Sequence, residues 1–218
     1  LEGGVHGLMI ENFGDVPFYP DRVPAETIAH MTALAAEVRN ATDLPIGINM
    51  LRNDGRSALA VAQAVDAQFI RVNILCGARV TDQGLMQGIA HDLLRDRRRL
   101  AAEDVAVFAD VNVKHSAPLA MIPLEQEVHD LIHRGGADVL IVSGTGTGTT
   151  TDPDELHAVK AAAGECPVLL GSGVSADNIA DYLTIADGFV VGSSLKVDGD
   201  VAQPIDADRV RQLLTAIA

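Results

Sequence analysis

Apolar runs of strand length alternate with longer stretches of helical periodicity along the whole chain. The strand-like runs fall at 7–13, 45–50, 69–74, 105–114, 139–143, 168–171 and 188–191. Helical patterns lie between and after them, near 25–40, 56–66, 87–102, 124–134, 154–163, 176–184 and 207–217. Helix-start signals agree with this register: Pro24 after Asp21, Pro153 after Asp152, and Asp206 before the last pattern. Seven βα units are therefore countable. The opening LEGGVHGLMIEN matches HRGGADVLIVSG at 133–144, where a helix stops at two glycines and a strand follows. That parallel makes residues 1–4 the end of a helix, so a strand and most of a helix are expected upstream of Leu1. With them the count is eight. The expected fold class is α/β, a (β/α)₈ TIM barrel lacking its first strand, with residues 1–218 as one domain. An open doubly wound sheet is the alternative, and it leaves polar residues inside strands harder to explain.

Those polar residues are clearest in VFADVNVKH at 107–115, where Asp110, Asn112 and Lys114 alternate with Val111 and Val113. A period of two puts the three on one face. Polar groups in a buried sheet must find partners or neutralise, so a ligand-filled barrel mouth is the expected place for the row; a satisfied internal network is the other reading. In a barrel the C-terminal strand ends form the active face. There this sequence places Glu11 and Asn12, then Asn49, Arg52, Asn53 and Asp54, then Arg71 and Asn73, then Asp110, Asn112, Lys114 and His115. Each alone reads as a cap or a salt bridge; their recurrence over four strands points to a site.

The remaining strands end differently. Ser143 and Gly144 open SGTGTGTTTDP, Gly171, Ser172 and Gly173 open GSGVSADN, and Gly192, Ser193 and Ser194 open GSSLK. Glycine lets backbone N–H groups approach an anion, and paired turns after the last two barrel strands commonly hold phosphate. Lys196 either adds charge there or is simply exposed.

Composition narrows the reading. Hydrophobic residues make up 48% of the chain but aromatic ones only 3%, so Ala, Val, Leu and Ile must build the core. The net charge is -14, with 21 Asp against 9 Glu and 3 Lys beside 13 Arg. Such a surface repels nucleic acid and anionic lipid outside local positive sites. It also resembles proteins of salt-loving organisms, and a halophilic protein should melt earlier at low KCl; a melting curve unmoved by KCl leaves an ordinary acidic one. Arg97, Arg98 and Arg99 read as a solvated face paired with Asp92, Asp96 and Glu103. Cys76 and Cys166 lack disulfide or metal spacing and read as reduced residues. No apolar run approaches the ~20 residues of a membrane span, and no signal peptide is visible, so a cytoplasmic protein is the default.

The segments GLMIENFGDVPF, PIGINMLRND, FIRVN, FADVNVKHS, LIVSGTGTG, GSGV with Asn178, and DGFVVGSSLK together resemble the BtpA family of TIM-barrel proteins. That family is named for a member linked to photosystem I biogenesis and also includes SgcQ-like sugar-operon proteins. Its members usually begin with a strand carrying VHL and a proline-rich segment. The resemblance implies a (β/α)₈ barrel similar to phosphate-binding barrels and leaves the reaction open.

From the residues, the first expectation is an enzyme acting on a small phosphorylated sugar or nucleotide-like metabolite by isomerase, lyase or glycosidic-bond chemistry. Glu11 and Asp110 are candidates for proton transfer, Lys114 for an oxyanion or Schiff base, and His115 for acid or base work if it faces the lumen. Arg71 would hold an anion, while Asn12, Asn49, Arg52, Asn53, Asp54, Asn73, Asn112 and Ser143 bind substrate. Gly144, Gly171, Ser172, Gly173, Gly192, Ser193 and Ser194 bind phosphate. No cofactor is called for. A metal hydrolase using Glu11, Asp110 and His115 lacks any HxH or HExxH spacing to support it. The second expectation is a non-catalytic assembly factor that keeps a ligand site. Self-association through helices is common for such barrels.

Overall fold

The computed structural model describes residues 1–144 and 151–217. In chain order the elements are β1 (Leu8–Glu11), α1 (Ala25–Ala41), β2 (Ile46–Asn49), α2 (Gly55–Ala64), β3 (Phe69–Val72), β4 (Ala78–Thr81), β5 (Gly84–Gln87) and α3 (Ala90–Arg99). Then come β6 (Ala106–Val111), β7 (Ser116–Pro118), α4 (Leu124–His129) with a π-helical turn (Asp130–Arg134), β8 (Val139–Val142) and α5 (Pro153–Ala163). The chain finishes with β9 (Val168–Leu170), a 3-10 turn (Ile179–Tyr182), β10 (Gly188–Phe189) and α6 (Ala207–Thr215).

The principal sheet runs β1-β2-β3-β6-β8-β9-β10, and every pair in it is parallel. The strands follow one another in sequence order. A doubly wound sheet reverses its order at a switch point, so this sheet is of barrel type. Side-chain alternation sorts it into two faces. Ile46, Ile48, Ile70, Val72, Val107, Ala109, Val111, Leu140, Val142, Val168 and Leu170 join Leu59, Leu93, Val128, Leu131, Leu156 and Val159 of the helices in one core. The opposite parity carries Glu11, Gly47, Asn49, Phe69, Arg71, Phe108, Asp110 and Ile141. Low in this inner set the rings of Phe69 and Phe108 stack at 4.3 Å. Gly47 makes room for them, because even a methyl there would lie 1.9 Å from the Phe69 ring.

Of the helix starts that the sequence signalled, those at Asp152 and Asp206 carry side-chain caps and the one at Pro24 does not; Asp54, expected to bind substrate, caps a third helix. Asp54 accepts from the Ser57 amide at 2.9 Å, Asp152 from Asp154 at 3.0 Å and Asp206 from Asp208 at 2.8 Å. Arg99 pairs with Asp96 at 2.9 Å and Arg97 with Asp138 at 3.3 Å, which keeps that arginine run on a solvated face. Cys76 and Cys166 are free and half-buried.

Three features depart from expectation. The 176–184 segment is helical only as the 3-10 turn. The strand expected at 105–114 ends at Val111, since Asn112 takes a left-handed φ of 47° and His115 one of 57°. Finally, β5, β4 and β7 form a separate antiparallel sheet in that order. It packs Met86 on Ile74 and Val113 and sits beside the C-terminal ends of β3 and β6. The alternation in ARVTDQGLMQ could have signalled the β4-β5 hairpin; β7 has three residues, one of them proline, and leaves no such trace.

Candidate functional site

Arg71 is the hub. It projects from β3 beside Asn49 of β2, which in turn pairs with Glu11 of β1. Its Nε and Nη2 donate to the two oxygens of Asp110 at 2.9 and 3.0 Å, and Nη1 reaches Glu11 Oε1 at 3.3 Å. Asn73 Nδ2 adds a 2.6 Å bond to Asp110. Burial works against the Arg71 charge, but Asp110 and Glu11 overcome it and hold the guanidinium above its ordinary pKa. Both Asp110 oxygens are thus occupied, and its side chain is fully buried. The Glu11 side chain keeps 27% exposure and a single contact to Arg71, which leaves one of its oxygens open to the cavity.

Above the hub lies a cavity of about 330 Å³ lined by Glu11, Phe13, Val16, Phe18, Leu51, Arg52, Arg71, Asn73, Asp82, Lys114 and His115. Asp82 comes from the hairpin between β4 and β5, a residue that sequence reading did not place here. Lys114 makes no hydrogen bond or ion pair through Nζ among the described residues. Its pKa is depressed first by desolvation, then by the neighbouring Arg71 charge. His115 is also lowered, by burial and then by Arg52 and Lys114, which favours neutral imidazole at pH 7. Another cavity, of about 240 Å³, opens at the N-terminal strand ends near Gln68 and Val105. It gathers Asp66 and Asp104 but no cation or histidine, so the chemistry belongs to the first.

Several predicted binders hold the scaffold instead. Asn12 Oδ1 accepts from the Leu51 amide at 2.7 Å and its Nδ2 donates to the Leu51 carbonyl at 3.2 Å. Asn53 does the same to Ile74, at 2.9 and 3.0 Å. Asp54 caps α2 and accepts from the Val23 amide at 3.0 Å. These side chains replace missing sheet partners and pin the loops that carry Phe13 and Arg52. Asn112 leaves the polar row altogether, because its left-handed φ turns it outward. It accepts from Arg79, donates through Nδ2 to Glu155 at 2.8 Å, and its amide donates to Glu127 at 3.0 Å. Arg79, buried and also bonded to Ser116 Oγ at 2.7 Å, ties the small sheet to the end of β6. Nothing local in the sequence singled it out.

Asn49 and Ser143 are different again. Both are buried, and neither the Asn49 amide nor Ser143 Oγ has a partner among the described residues. Buried polar atoms without partners are rare. They sit at the ends of β2 and β8, on the strands that flank β3 and β6.

The glycine-serine turns meet after β9 and β10. Ser194 Oγ donates to the Val174 carbonyl at 2.6 Å, and Asn178 closes the first turn on Gly173 O at 2.8 Å and the Ser175 amide at 2.9 Å. Gly173 has φ 69°, and a Cβ on buried Gly171 would lie 2.5 Å from Ile141. The backbone amides of Gly173, Val174, Ser193 and Ser194 donate to no described residue. Gly144 is buried beyond β8, and residues 145–150 of that loop lie outside the described residues. Lys196 is bound to the Gln203 carbonyl at 2.9 Å. Among the described residues no cluster of His, Cys, Asp or Glu could hold a metal, and no helix is long and apolar enough to cross a membrane.

Sequential parallel strands, surrounding helices and a polar mouth at the C-terminal strand ends define a TIM-barrel protein. Solved structures agree on the fold. Phosphoribosylanthranilate isomerase from Pyrococcus furiosus superposes with a TM-score of 0.62 at 14% identity, covering 99% of this chain and 90% of that one. A structure described as native KDPGal gives 0.56 at 15% identity over 96% and 92%. The chain belongs to the BtpA family, whose model matches residues 1–218. Photosystem I biogenesis protein BtpA of Synechocystis is 46% identical over 216 residues, 99% of this chain and 75% of that protein. An uncharacterized protein of Thermococcus kodakarensis is 44% identical over 213 residues, 98% and 80% respectively.

Proposed function

We propose that this chain is an enzyme that binds a small phosphorylated sugar or nucleotide-like metabolite across the barrel mouth and performs isomerase-, lyase- or glycosidic-type chemistry on it. The observation that carries the proposal is Lys114, a desolvated amine with no ion pair among the described residues, sharing one cavity with the partly exposed carboxylate of Glu11. Lys114 stabilises a developing oxyanion or, as the neutral amine, attacks a carbonyl; Glu11 moves the proton. His115, held neutral, is a second acid or base. Arg71 presents a fixed charge at the floor, with Asp110 and Asn73 orienting it, and Asn49 and Ser143 offer unfilled polar atoms to substrate hydroxyls. The unbonded amides of the glycine-serine turns take the phosphate. The likeness to phosphoribosylanthranilate isomerase supports this reading at the level of fold.

A thermal-shift series with phosphorylated sugars, nucleotides and inorganic phosphate tests it. At a ligand concentration of 100 Kd the native state gains about 2.7 kcal/mol, a readily measured rise in Tm. The rise should vanish in Gly173→Asp and survive better in Gly173→Asn, which carries the same backbone strain without the charge. A well-folded protein that no phosphorylated compound shifts would overturn the proposal. It would favour the second reading, a non-catalytic assembly factor. That reading draws on the name of the Synechocystis relative and on Val80, Leu85, Leu119, Met121 and Ile122, all exposed on or just after the small sheet.

A further inference from the structure

The charges in and beneath the cavity, Arg52, Arg71 and Lys114 against Glu11, Asp82 and Asp110, sum to zero but do not pair one to one. Arg71 is neutralised by Asp110 and Glu11. Arg52 has no such ion pair: only 4% of it is exposed, Nη2 donates to the neutral Lys114 carbonyl at 2.6 Å, and among the described residues Nε is buried without a partner. No carboxylate lies within ion-pair distance of Arg52 or Lys114 among the described residues. Asp82 lines the same cavity without pairing to either. Residues 145–150 read TGTGTT and contain no carboxylate, so they supply no counter-charge. Among the described residues two adjacent cations therefore stand without a direct ion pair, and Asp110, Asp82 and Glu11 act on them only from a distance. Burying a guanidinium this way is costly unless an anion completes the site.

We infer that Arg52 and Lys114 form a second anion subsite, so that the ligand carries an anionic group at each end: a phosphate in the glycine-serine turns and a carboxylate or second phosphate against these two cations. The inference rests on the proposed function and deepens it by naming the substrate class. Phe13, Val16, Phe18 and Leu51 wall the same cavity and exclude water from the second charge, which strengthens its attraction to the cations. Arg52 supplies a planar donor fixed by its own bond to Lys114 O, and Lys114 a mobile point charge.

Isothermal titration with ribose 5-phosphate, 6-phosphogluconate and ribulose 1,5-bisphosphate tests it. These probes carry, respectively, one anionic end, a phosphate with a carboxylate, and two phosphates. At least one double-ended compound should bind about tenfold tighter than ribose 5-phosphate, the scale of one charge-assisted contact. Which of the two wins tells carboxylate from phosphate. Lys114→Met and Arg52→Met should bring the affinity ratio between that compound and ribose 5-phosphate, each measured on the same variant, down to about one. Arg52→Lys, with circular dichroism on each variant, guards against a misfolded Arg52→Met. Equal affinity for all three probes, or an advantage that persists in folded Lys114→Met, overturns the subsite while the phosphate site stands. Failure of every probe, ribose 5-phosphate included, overturns the proposed function and the subsite together.

Discussion

Replacing Arg71 with Met is expected to destabilise the folded chain by about 3–5 kcal/mol, the usual cost of removing one partner from a buried ion pair. The Arg71 and Asp110 side chains are 5% and 0% exposed, so water cannot solvate the carboxylate left behind. Asn73 would keep its single bond to Asp110, and one neutral donor does not replace a bidentate guanidinium. The double variant Arg71→Met with Asp110→Leu should recover a large part of the loss, because it removes the orphaned charge as well as its partner. Urea denaturation of the three proteins measures both effects. If Arg71→Met unfolds at the wild-type midpoint, the ion pair is not the hub described here.

Lys114→Met should move stability and activity in opposite directions. Loss of the only amine in the cavity is expected to lower kcat by about 10²–10³-fold, the scale of losing one oxyanion donor. Its folded-state pKa lies below the ordinary 10.5, so the unfolded chain binds the proton more tightly than the folded one. Below the folded pKa the charged amine costs the native state stability. As pH rises from the folded pKa towards 10.5 that cost disappears, and the wild type gains stability relative to the variant. The Met variant is therefore the more stable near neutral pH, and its advantage fades in alkali. Denaturation of both proteins across that range supplies the check; a variant less stable at pH 7 would mean that Lys114 holds the fold rather than serving the site.

The barrel was legible because parallel strands buried on both faces must be apolar runs, and seven such runs separated by helical periodicity leave few topologies. Glu11, Asn49, Arg71 and Asp110 were legible as a polar ring for the same reason: they interrupt runs that should be apolar. The row of Asp110, Asn112 and Lys114 was read on the assumption that the strand continues. It stops at Val111, and the left-handed turn at Asn112 sends that side chain to Arg79 and Glu155 while Lys114 returns to the cavity.

Asn12, Asn53 and Asp54 show a second limit. An amide or carboxylate at a strand end looks the same in sequence whether it meets substrate or backbone. Their partners, Leu51, Ile74 and Val23, lie 39, 21 and 31 residues away along the chain. The sequence by itself determined the order of the barrel strands, the acidic composition, the glycine-rich turns and most of the polar groups at one end of the principal sheet. Only the tertiary structure decided which of those groups neutralise one another and which remain unmatched. Local periodicity sets which face a side chain takes, whereas pairing depends on distances between residues far apart in the chain, and those exist only once the strands stand side by side.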